Sequence, residues 1–355
     1  MKYASLVPAL LAALGCASEP LKQPKGDQPV TESRTLSVFE RVRVSSDDQA
    51  EYVRNAIAEV DFGADSVSRA VLKVELESPC FPFAGWQELE MPEGHNWPLT
   101  CDAFDRLLSV SLDEPAEGSD GPPGLELVRA VTPFGGPLSI SSDVTDVVNG
   151  LPGAHQLKIA IDTWGDAEGR VTGAKGEWVV SISLELELGA PLRRVLAVRP
   201  LFLGSQTEPD SPALAFTAPE GASEGRIEYR ATGHGLAEDS TCIGPAEEFC
   251  SRTHSLLLDG AVLDEFEAWR TDCAAYCTPA HDDTFDRDYC AENPCGAAQS
   301  VRAPRANWCP GTVSAPRVLE GTGLAVAGEH ELATTISELK EGGNWRVSLT
   351  YFAFE

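Results

Sequence analysis

Apolar and polar residues alternate with a period of two over much of the chain, for example from Val71 to Glu77 and from Trp178 to Leu188. Successive side chains of a β-strand point to opposite faces, so such runs bury one face and expose the other, as antiparallel sheets do. Further strands are predicted at residues 107–112, 157–160, 226–231, 253–258, 331–336 and 345–353. One helical turn is predicted within residues 142–149, ended by Gly150. The chain is therefore predicted to be all-β.

The strand pattern is interrupted near its middle. A long strand ends at Gly189-Ala190-Pro191, and a new apolar segment starts at Val195. About 320 residues are also too many for one typical hydrophobic core. We predict two antiparallel β-sandwich domains in series, over residues 36–190 and 191–355.

The first residues predict export. Lys2 precedes an apolar run from Leu6 to Leu14 that is too short to cross a bilayer as a helix. Small residues then precede Cys16, as in bacterial lipoproteins, although Ala13 departs from that pattern. We predict a signal peptide over residues 1–15 and a lipid-anchored flexible linker over residues 16–35. The protein is expected at the bacterial outer membrane or cell surface, with a periplasmic or secreted location as the alternative.

Charge and cysteine content narrow the function classes. The net charge of −28 argues against a nucleic-acid partner, because phosphate binding needs a basic surface. Ten cysteines behind an export signal predict disulfides rather than free thiols or zinc ligands. If Cys16 carries the lipid, an odd number of cysteines remains, and one of them has no partner within the chain.

The first segment with candidate chemistry holds two aspartates. Asp102 and Asp105 flank Phe104 and precede Arg106. Because the aspartates lie three residues apart, an extended chain points them to opposite faces, and only one can enter a given cleft. Arg106 could hold Asp105 ionised and aimed. The alternative for such neighbours is a solvated surface pair.

The second segment is a small loop bounded by cysteines. Cys242 and Cys250 enclose Glu247 and Glu248. A disulfide between these cysteines would hold the glutamates rigidly, as a positioned acid or base requires. The alternative is a stapled turn whose acidic side chains face solvent.

Two tryptophans stand beside charged residues in the remaining segments. Arg305 precedes Trp308 in a loop, and Asp162 precedes Trp164 at the end of a predicted strand. An indole ring offers a large flat face on which the CH faces of a sugar can pack. Both tryptophans are thus candidate sugar contacts, and a core position is the alternative for each.

Five motifs, in this order, resemble the peptide-N-glycosidase F family. They are Cys101-Asp102-x-Phe104-Asp105-Arg106, Leu157-Lys158-Ile159 through Thr163-Trp164, Glu248-Phe249-Cys250-x-Arg252-Thr253-His254, Cys290-Ala291-Glu292-Asn293-Pro294, and Arg305-Ala306-x-Trp308-Cys309-Pro310-Gly311. The resemblance implies two consecutive jelly rolls with the active site in the cleft between them. It also implies hydrolysis of the amide between asparagine and the innermost N-acetylglucosamine of N-glycoproteins and glycopeptides, without a metal or another cofactor.

The resemblance also implies roles for individual residues. Asp105 would be the principal catalytic acid, Glu248 would face it from the other domain, and Asp162 would replace a third, supporting glutamate. Substrate-binding positions are implied for Arg106, Trp164, Arg305 and Trp308. Disulfides are implied for Cys80–Cys101 and Cys290–Cys309. We expect a monomer.

Two other interpretations remain. A non-catalytic double jelly-roll module that binds glycans or proteins at the cell surface would keep these motifs without turnover. Copper monooxygenases share the double-sandwich plan, but copper needs clustered imidazoles and the six histidines are scattered along the sequence. No Gly-x-Ser-x-Gly motif for a serine nucleophile occurs in the sequence.

Overall fold

A computed structural model describes residues 32–80, 89–116, 118–119, 121–236, 242–283 and 286–355. The predicted signal peptide and Cys16 lie outside these residues. Among the residues described, no helix has the length and apolar character needed to cross a membrane. We call residues 32–190 the N-terminal half and residues 191–355 the C-terminal half.

Two five-stranded sheets form most of the N-terminal half. The first contains β1 (Ser33–Ser45), β2 (Tyr52–Val53), β4 (Val67–Glu77), β7 (Leu138–Asp143) and β9 (Glu177–Leu188), in the order β2-β1-β9-β4-β7. The second contains β3 (Asn55–Asp61), β5 (Leu107–Leu112), β6 (Leu125–Val131), β8 (Ala154–Ile161) and β17 (Thr312–Val313), in the order β17-β6-β5-β8-β3. One short helix, α1 (Thr145–Gly150), follows β7 and agrees with the predicted helical turn.

Two four-stranded sheets form the C-terminal half. The first contains β10 (Val195–Gln206), β12 (Glu224–Gly235), β18 (Arg317–Gly321) and β20 (Gly343–Phe354), in the order β10-β20-β12-β18. The second contains β11 (Leu214–Ala218), β13 (Thr253–Leu258), β14 (Ala261–Glu267) and β19 (Gly328–Ile336), in the order β11-β19-β13-β14. A hairpin of β15 (Pro279–Asp282) and β16 (Arg287–Cys290), the short helix α2 (Ala298–Arg302) and the 3-10 turns Glu247–Phe249, Cys273–Tyr276 and Thr322–Ala325 lie outside these sheets.

The alternation of apolar and polar residues has the predicted consequence. In β9, the side chains of Trp178, Val180, Ile182, Leu184 and Leu186 are buried, while the residues between them are partly exposed from position 179 onward. These buried residues pack into a core between the two N-terminal sheets. Strand pairing among the described strands is antiparallel apart from the short β1–β2 contact. The all-β prediction is confirmed.

Two of the predicted domain limits can be compared with the observed strands. Strand β1 begins at Ser33 and pairs with β9, so residues 33–35 of the predicted linker belong to a strand. The predicted boundary at residues 190 and 191 falls between β9 and β10, but β17 crosses back to pair with β6. Residues Glu32–Glu355 form one compact unit. A division into two separate domains at this boundary stays a prediction.

The two halves are joined by both apolar and polar contacts. Phe352 and Phe354 of β20 pack into the N-terminal core. On β6, a buried Arg129 binds Glu126 through Nε at 2.8 Å and through Nη2 at 2.9 Å. The same guanidinium donates to the carbonyl of Arg346 on β20. A shift of one half against the other would break this bond to Arg346 and leave a buried polar group without its partner.

Four disulfides connect the described cysteines, and one predicted pairing is wrong. Cys80–Cys101 and Cys242–Cys250 are present, whereas Cys290 pairs with Cys277 and Cys309 pairs with Cys273. The β15–β16 hairpin places Cys277 just before the strand that faces Cys290, with Cα atoms 4.8 Å apart. The Cα atoms of Cys273 and Cys309 are 5.2 Å apart. Cys295 carries a free thiol.

The disulfide pattern can be tested by peptide mapping without reduction. We expect linked peptides for Cys273–Cys309 and Cys277–Cys290, because these pairs have the short Cα separations that a disulfide requires. The variant Cys277→Ser should make Cys290 available to alkylation and leave the Cys273–Cys309 link intact. The control Cys295→Ser should leave every link in place. A peptide that joins Cys290 to Cys309 would contradict the structure.

Candidate active site

The two aspartates in the loop before β5 differ in burial. Asp102 is fully buried, whereas Asp105 is half-buried. The loop is held against the N-terminal half by side chains of neighbouring segments. Thr172 Oγ1 accepts a hydrogen bond from the Ala103 amide at 2.9 Å, and Thr132 Oγ1 accepts one from the Arg106 amide at 2.8 Å. As predicted from their spacing, only Asp105 is available to a cleft.

Arg106 binds the buried aspartate rather than its neighbour in sequence. Its Nε donates to Asp102 Oδ2 at 2.7 Å and to Oδ1 at 2.9 Å, and its Nη2 donates to Oδ1 as well. Thr163 Oγ1 at 2.6 Å and Trp178 Nε1 at 3.3 Å also donate to Asp102 Oδ2. The expectation that Arg106 directly holds Asp105 is therefore wrong.

One oxygen of the Asp105 carboxyl group is removed from water without gaining a hydrogen-bond partner. Its Oδ2 is shielded from solvent and has no hydrogen-bond partner among the described residues. Burial raises the pKa of Asp105 from 3.8 to about 7, the positive charge of Arg305 opposes this rise, and the negative charge of Glu248 adds to it. Arg106 lowers the pKa less than Arg305 does. At neutral pH both protonation states of Asp105 are therefore populated.

The Cys242–Cys250 loop separates its two glutamates in the same manner. Glu247 is fully buried and accepts hydrogen bonds from Arg252 Nε at 2.8 Å and from Trp345 Nε1 at 2.9 Å. Glu248, the next residue of the same 3-10 turn, keeps 27% of its side chain exposed. The predicted disulfide loop therefore holds one glutamate in the core and leaves the other available.

A buried arginine fixes Glu248. Arg305 Nη1 donates to Glu248 Oε1 at 2.7 Å, and its Nη2 donates to the carbonyl and hydroxyl oxygens of Ser300, which lies on α2. The guanidinium carbon lies over two aromatic rings, 4.7 Å from the centre of Phe249 and 4.5 Å from that of Trp308. Because only 1% of its side chain is exposed, Arg305 influences the site mainly by holding Glu248 and by its charge.

Trp308 does not offer a face to a sugar. The side chain is buried, with 1% exposed, and its Nε1 donates to the Gly233 carbonyl at 3.0 Å. One face is stacked on His234, with ring centres 5.6 Å apart. The predicted substrate contact is therefore corrected: Trp308 packs behind Arg305 because its ring and its N–H are both already occupied.

Trp164 has the exposure that a sugar contact needs. It keeps 37% of its surface exposed and stacks on Phe104, with ring centres 5.5 Å apart. The Arg106 guanidinium lies 4.9 Å from the Trp164 ring centre. Phe104 and Arg106 flank Asp105 in sequence, so this aromatic surface belongs to the same loop system as the Asp105 carboxyl.

Asp162 lies near this loop but is less constrained. Its amide donates to the Leu107 carbonyl at 3.0 Å, which keeps the end of β8 beside the start of β5. Its side chain is exposed and makes no hydrogen bond or ion pair within the described part of the chain. The structure therefore brings Asp162 to the same edge of the sheet without fixing its carboxylate.

The site is built from both halves of the molecule. Asp105 comes from the N-terminal half, whereas Glu248 and Arg305, whose charges act on it, come from the C-terminal half. Nearby, the Phe134 amide donates to Asn293 Oδ1 at 3.0 Å, and its carbonyl accepts from the Cys295 amide at 3.0 Å. These bonds hold the two halves together next to the site.

The structure shows one cluster of potential metal ligands among the described residues. It comprises the sulfur atoms of Cys80, Cys101 and Cys295, which lie within 4.8 Å of one another. Since Cys80 and Cys101 share a disulfide, two of the three sulfurs are not available as thiolates.

Sequence reasoning missed the residues that hold the functional side chains. Asp102 binds Arg106, Glu247 binds Arg252, and Ser300 binds Arg305. The predicted disulfide loop around Glu247 was the available signal for one of them. The other two partners, Asp102 and Ser300, lie only four and five residues before the arginines that they bind, but spacing in a loop does not show which side chains face each other.

Comparison with known proteins gives consistent matches. Residues 205–351 match the family described as "Peptide-N-glycosidase F, C terminal". The peptide-N(4)-(N-acetyl-beta-D-glucosaminyl)asparagine amidase F of Elizabethkingia miricola is 25% identical over 236 residues. That match covers 62% of this chain and 58% of the relative, so it spans less than two thirds of the relative's length.

Solved structures show the same fold. PNGase F, a glycosylasparaginase from Flavobacterium meningosepticum, superimposes with a TM-score of 0.65 at 20% identity, covering 91% of this chain and 96% of that one. PNGF-II gives a TM-score of 0.65 at 18% identity, covering 90% of this chain and 65% of that one. At this identity the likeness shows the fold, which is the double jelly roll implied by the sequence motifs.

The raised pKa of Asp105 has a consequence for stability. Below pH 3.8 the carboxyl group is protonated in both the folded and the unfolded chain. Between pH 3.8 and about 7 the unfolded chain loses the proton first, so Asp105 lowers the stability of the fold as the pH rises. Asp105→Asn should remove this loss. The free energy of unfolding of the variant, relative to that of the wild type, should therefore increase by up to about 4 kcal/mol as the pH rises from acidic to weakly basic.

The measurement is the free energy of unfolding in urea across that pH range. The exposed Asp65, whose side chain makes no hydrogen bond or ion pair within the described residues, provides the control Asp65→Asn. This control should run parallel to the wild type at every pH. A difference between Asp105→Asn and the wild type that does not change with pH would contradict the raised pKa.

Proposed function

We propose that the chain is a divergent member of the peptide-N-glycosidase F family and that it hydrolyses the amide between asparagine and the innermost N-acetylglucosamine of N-glycoproteins and glycopeptides. One observation carries the proposal. Asp105, with its shielded Oδ2 and a pKa near neutral, stands within electrostatic reach of Glu248 from the opposite half. A carboxyl group with a perturbed pKa and a charged group close by is typical of sites that transfer protons.

Amide hydrolysis needs a water that is activated and a proton for the leaving nitrogen. We propose that ionised Asp105 takes a proton from a water molecule as its oxygen bonds to the amide carbon. The C–N bond then breaks, and the proton held by Asp105 passes to the departing nitrogen. The products are aspartate and a glycosylamine. Water is the one co-reactant, and Asp105 returns to its ionised form.

The remaining site residues would orient the reactants. Glu248, held at 2.7 Å by Arg305, is suited to orient the water and sugar hydroxyls because its position is fixed. The exposed ring of Trp164 would stack on a sugar. Asp162 would play a supporting role at the sheet edge. Arg305 would supply positive charge as the oxyanion forms, whereas Arg106, paired with Asp102, would support the Trp164 ring at the substrate side.

The proposal includes the cellular setting. We propose export, with a lipid attached at Cys16, so that the enzyme meets N-glycoproteins outside the cytoplasm as a monomer. The −28 net charge disfavours a nucleic-acid partner. The reaction as written uses carboxyl groups and water, and it needs no metal or organic cofactor.

A glycan-binding module without turnover is the second candidate function. The Trp164 and Phe104 rings support it, because a stacked aromatic surface can hold a sugar whether or not the amide is cut. An assay on an N-glycopeptide separates the two functions. Release of the glycan with conversion of asparagine to aspartate identifies the enzyme, whereas retention of the intact glycopeptide identifies the module.

Replacement of Asp105 is the direct test of the catalytic assignment. Asp105→Asn should lower kcat on an N-glycopeptide by about 10²- to 10⁴-fold, because the amide cannot exchange a proton with water or with the leaving nitrogen. The side chain keeps its size, so circular dichroism and thermal unfolding should still show a folded protein. Asp65→Asn is the matched control. Activity close to wild type in Asp105→Asn would refute the assignment.

The pH dependence of kcat/KM should report the titration of Asp105. The rate should rise with pH through about 7, because the reaction starts from the ionised carboxylate. Glu248→Gln removes a negative charge that raises this pKa, so the rising limb should move to lower pH. Glu265→Gln, at an exposed position of β14, should leave the limb where it is. A limb that stays unmoved in Glu248→Gln would contradict the coupling.

A further inference from the structure

Asp105 and Asp102 compete for one guanidinium, and the structure shows which of them holds it. All hydrogen bonds that Arg106 donates from Nε and Nη2 within the described residues go to Asp102. The Asp105 Oδ2, on the residue directly before Arg106, is shielded from solvent and unpaired. A buried carboxylate oxygen beside an arginine would ordinarily form a hydrogen-bonded ion pair with it.

We propose that Asp102 is a positioning residue that keeps the Arg106 guanidinium away from the Asp105 carboxyl group. The inference deepens the proposed function, because it rests on Asp105 acting at the amide. It adds a residue that never touches the substrate and that controls the protonation of one that does.

Side chains from several segments fix the Asp102–Arg106 pair in place. Asp102 is itself fixed by Thr163 Oγ1 at 2.6 Å and by Trp178 Nε1 at 3.3 Å, which come from the end of β8 and from β9. The guanidinium face lies against the Trp164 ring, with 4.9 Å between its carbon and the ring centre. Arg106 is buried and Asp102 has no exposed surface. Neither partner can turn toward Asp105 without losing this set of contacts.

The consequence for Asp105 follows from simple electrostatics. A direct, bidentate arginine would favour the ionised carboxylate and lower its pKa by about one to three units. With Arg106 paired to Asp102, its positive charge lowers the pKa of Asp105 less than the charge of Arg305 does, and burial is the largest influence. The carboxyl group can then accept and return a proton near neutral pH.

The charged groups around Asp105 come from several elements. Arg106 lies on its own loop, Glu248 lies on the 3-10 turn Glu247–Phe249, and Arg305 lies in the segment after α2. Asp102 lies behind Arg106, and Asp162 follows β8 at the same sheet edge. Removing the Asp102 carboxylate should lower the pKa of Asp105, because the Arg106 guanidinium beside Asp105 then has no negative partner.

The test measures the pKa of Asp105 without using activity. Protein labelled with ¹³C at the aspartate carboxyl carbons is titrated by NMR, and the Asp105 signal is identified by its loss in Asp105→Asn. In Asp102→Asn the pKa of Asp105 should fall by about one unit or more. The double variant Asp102→Asn/Arg106→Met should abolish this fall, because the released guanidinium is then absent.

A matched control removes a different buried carboxylate that is paired with arginine. Glu126→Gln disrupts the pair with Arg129 on β6 and should lower stability without moving the pKa of Asp105. If the pKa of Asp105 fell by a similar amount in Glu126→Gln, the effect would come from a general loss of stability, and the proposal would be overturned. An unchanged pKa in Asp102→Asn, or an equal fall in the double variant, would overturn it as well.

A further comparison covers the case in which Asp102→Asn does not fold. Two arginines lower the pKa of Asp105, and Arg305 lowers it more than Arg106 does. Arg106→Met should therefore raise the pKa of Asp105 less than Arg305→Met does, and the reverse order would show that Arg106 pairs directly with Asp105. Because these readouts need no substrate, a protein without glycoamidase activity can still support the proposal. An active enzyme in which Asp102→Asn leaves the pKa unchanged would refute the proposal and leave the function intact.

Discussion

Buried carboxylate–arginine pairs are the interaction on which the site and the junction of the halves depend. Asp102 with Arg106 fixes the loop of Asp105, and Glu247 with Arg252 fixes the turn of Glu248. Glu126 with Arg129, at the junction, makes the third such pair. Breaking a buried pair by removing one member typically costs about 3–5 kcal/mol, because the other charge is left without compensation. Each pair therefore allows one arrangement of the backbone around it.

The pairs Asp102–Arg106 and Glu247–Arg252 have a feature in common that helps to fix the neighbouring carboxyl groups. In each, the carboxylate also accepts a hydrogen bond from a core tryptophan, Trp178 or Trp345, and so is anchored to the sheet behind it. The available acid, Asp105 or Glu248, is then held in place by a backbone that cannot relax. Rigid support of this kind is what lets a carboxyl group remain poorly solvated instead of turning to water.

Regular structure could be predicted from the sequence, whereas pairing between distant residues could not. The limits predicted for Leu107–Leu112 and Thr253–Leu258 agree with β5 and β13, because period-two burial is a local property of the chain. The separation of Asp102 from Asp105 was also predictable, since it follows from strand geometry. Cys290 was assigned the wrong partner because a disulfide depends on which segments the fold brings together, and the β15–β16 hairpin could not be anticipated.

The partner of Arg106 was mistaken for a related reason. Adjacent charges in sequence suggest an ion pair, but the backbone at a loop-to-strand junction points neighbouring side chains apart, and Arg106 reaches back to Asp102 instead. The result is a carboxyl group whose Oδ2 is buried and unpaired, an arrangement that lowers stability when Asp105 ionises. A structure optimised for stability alone would pair that oxygen. Stability therefore does not explain why this oxygen is unpaired, and proton transfer is a chemistry that such a group can support.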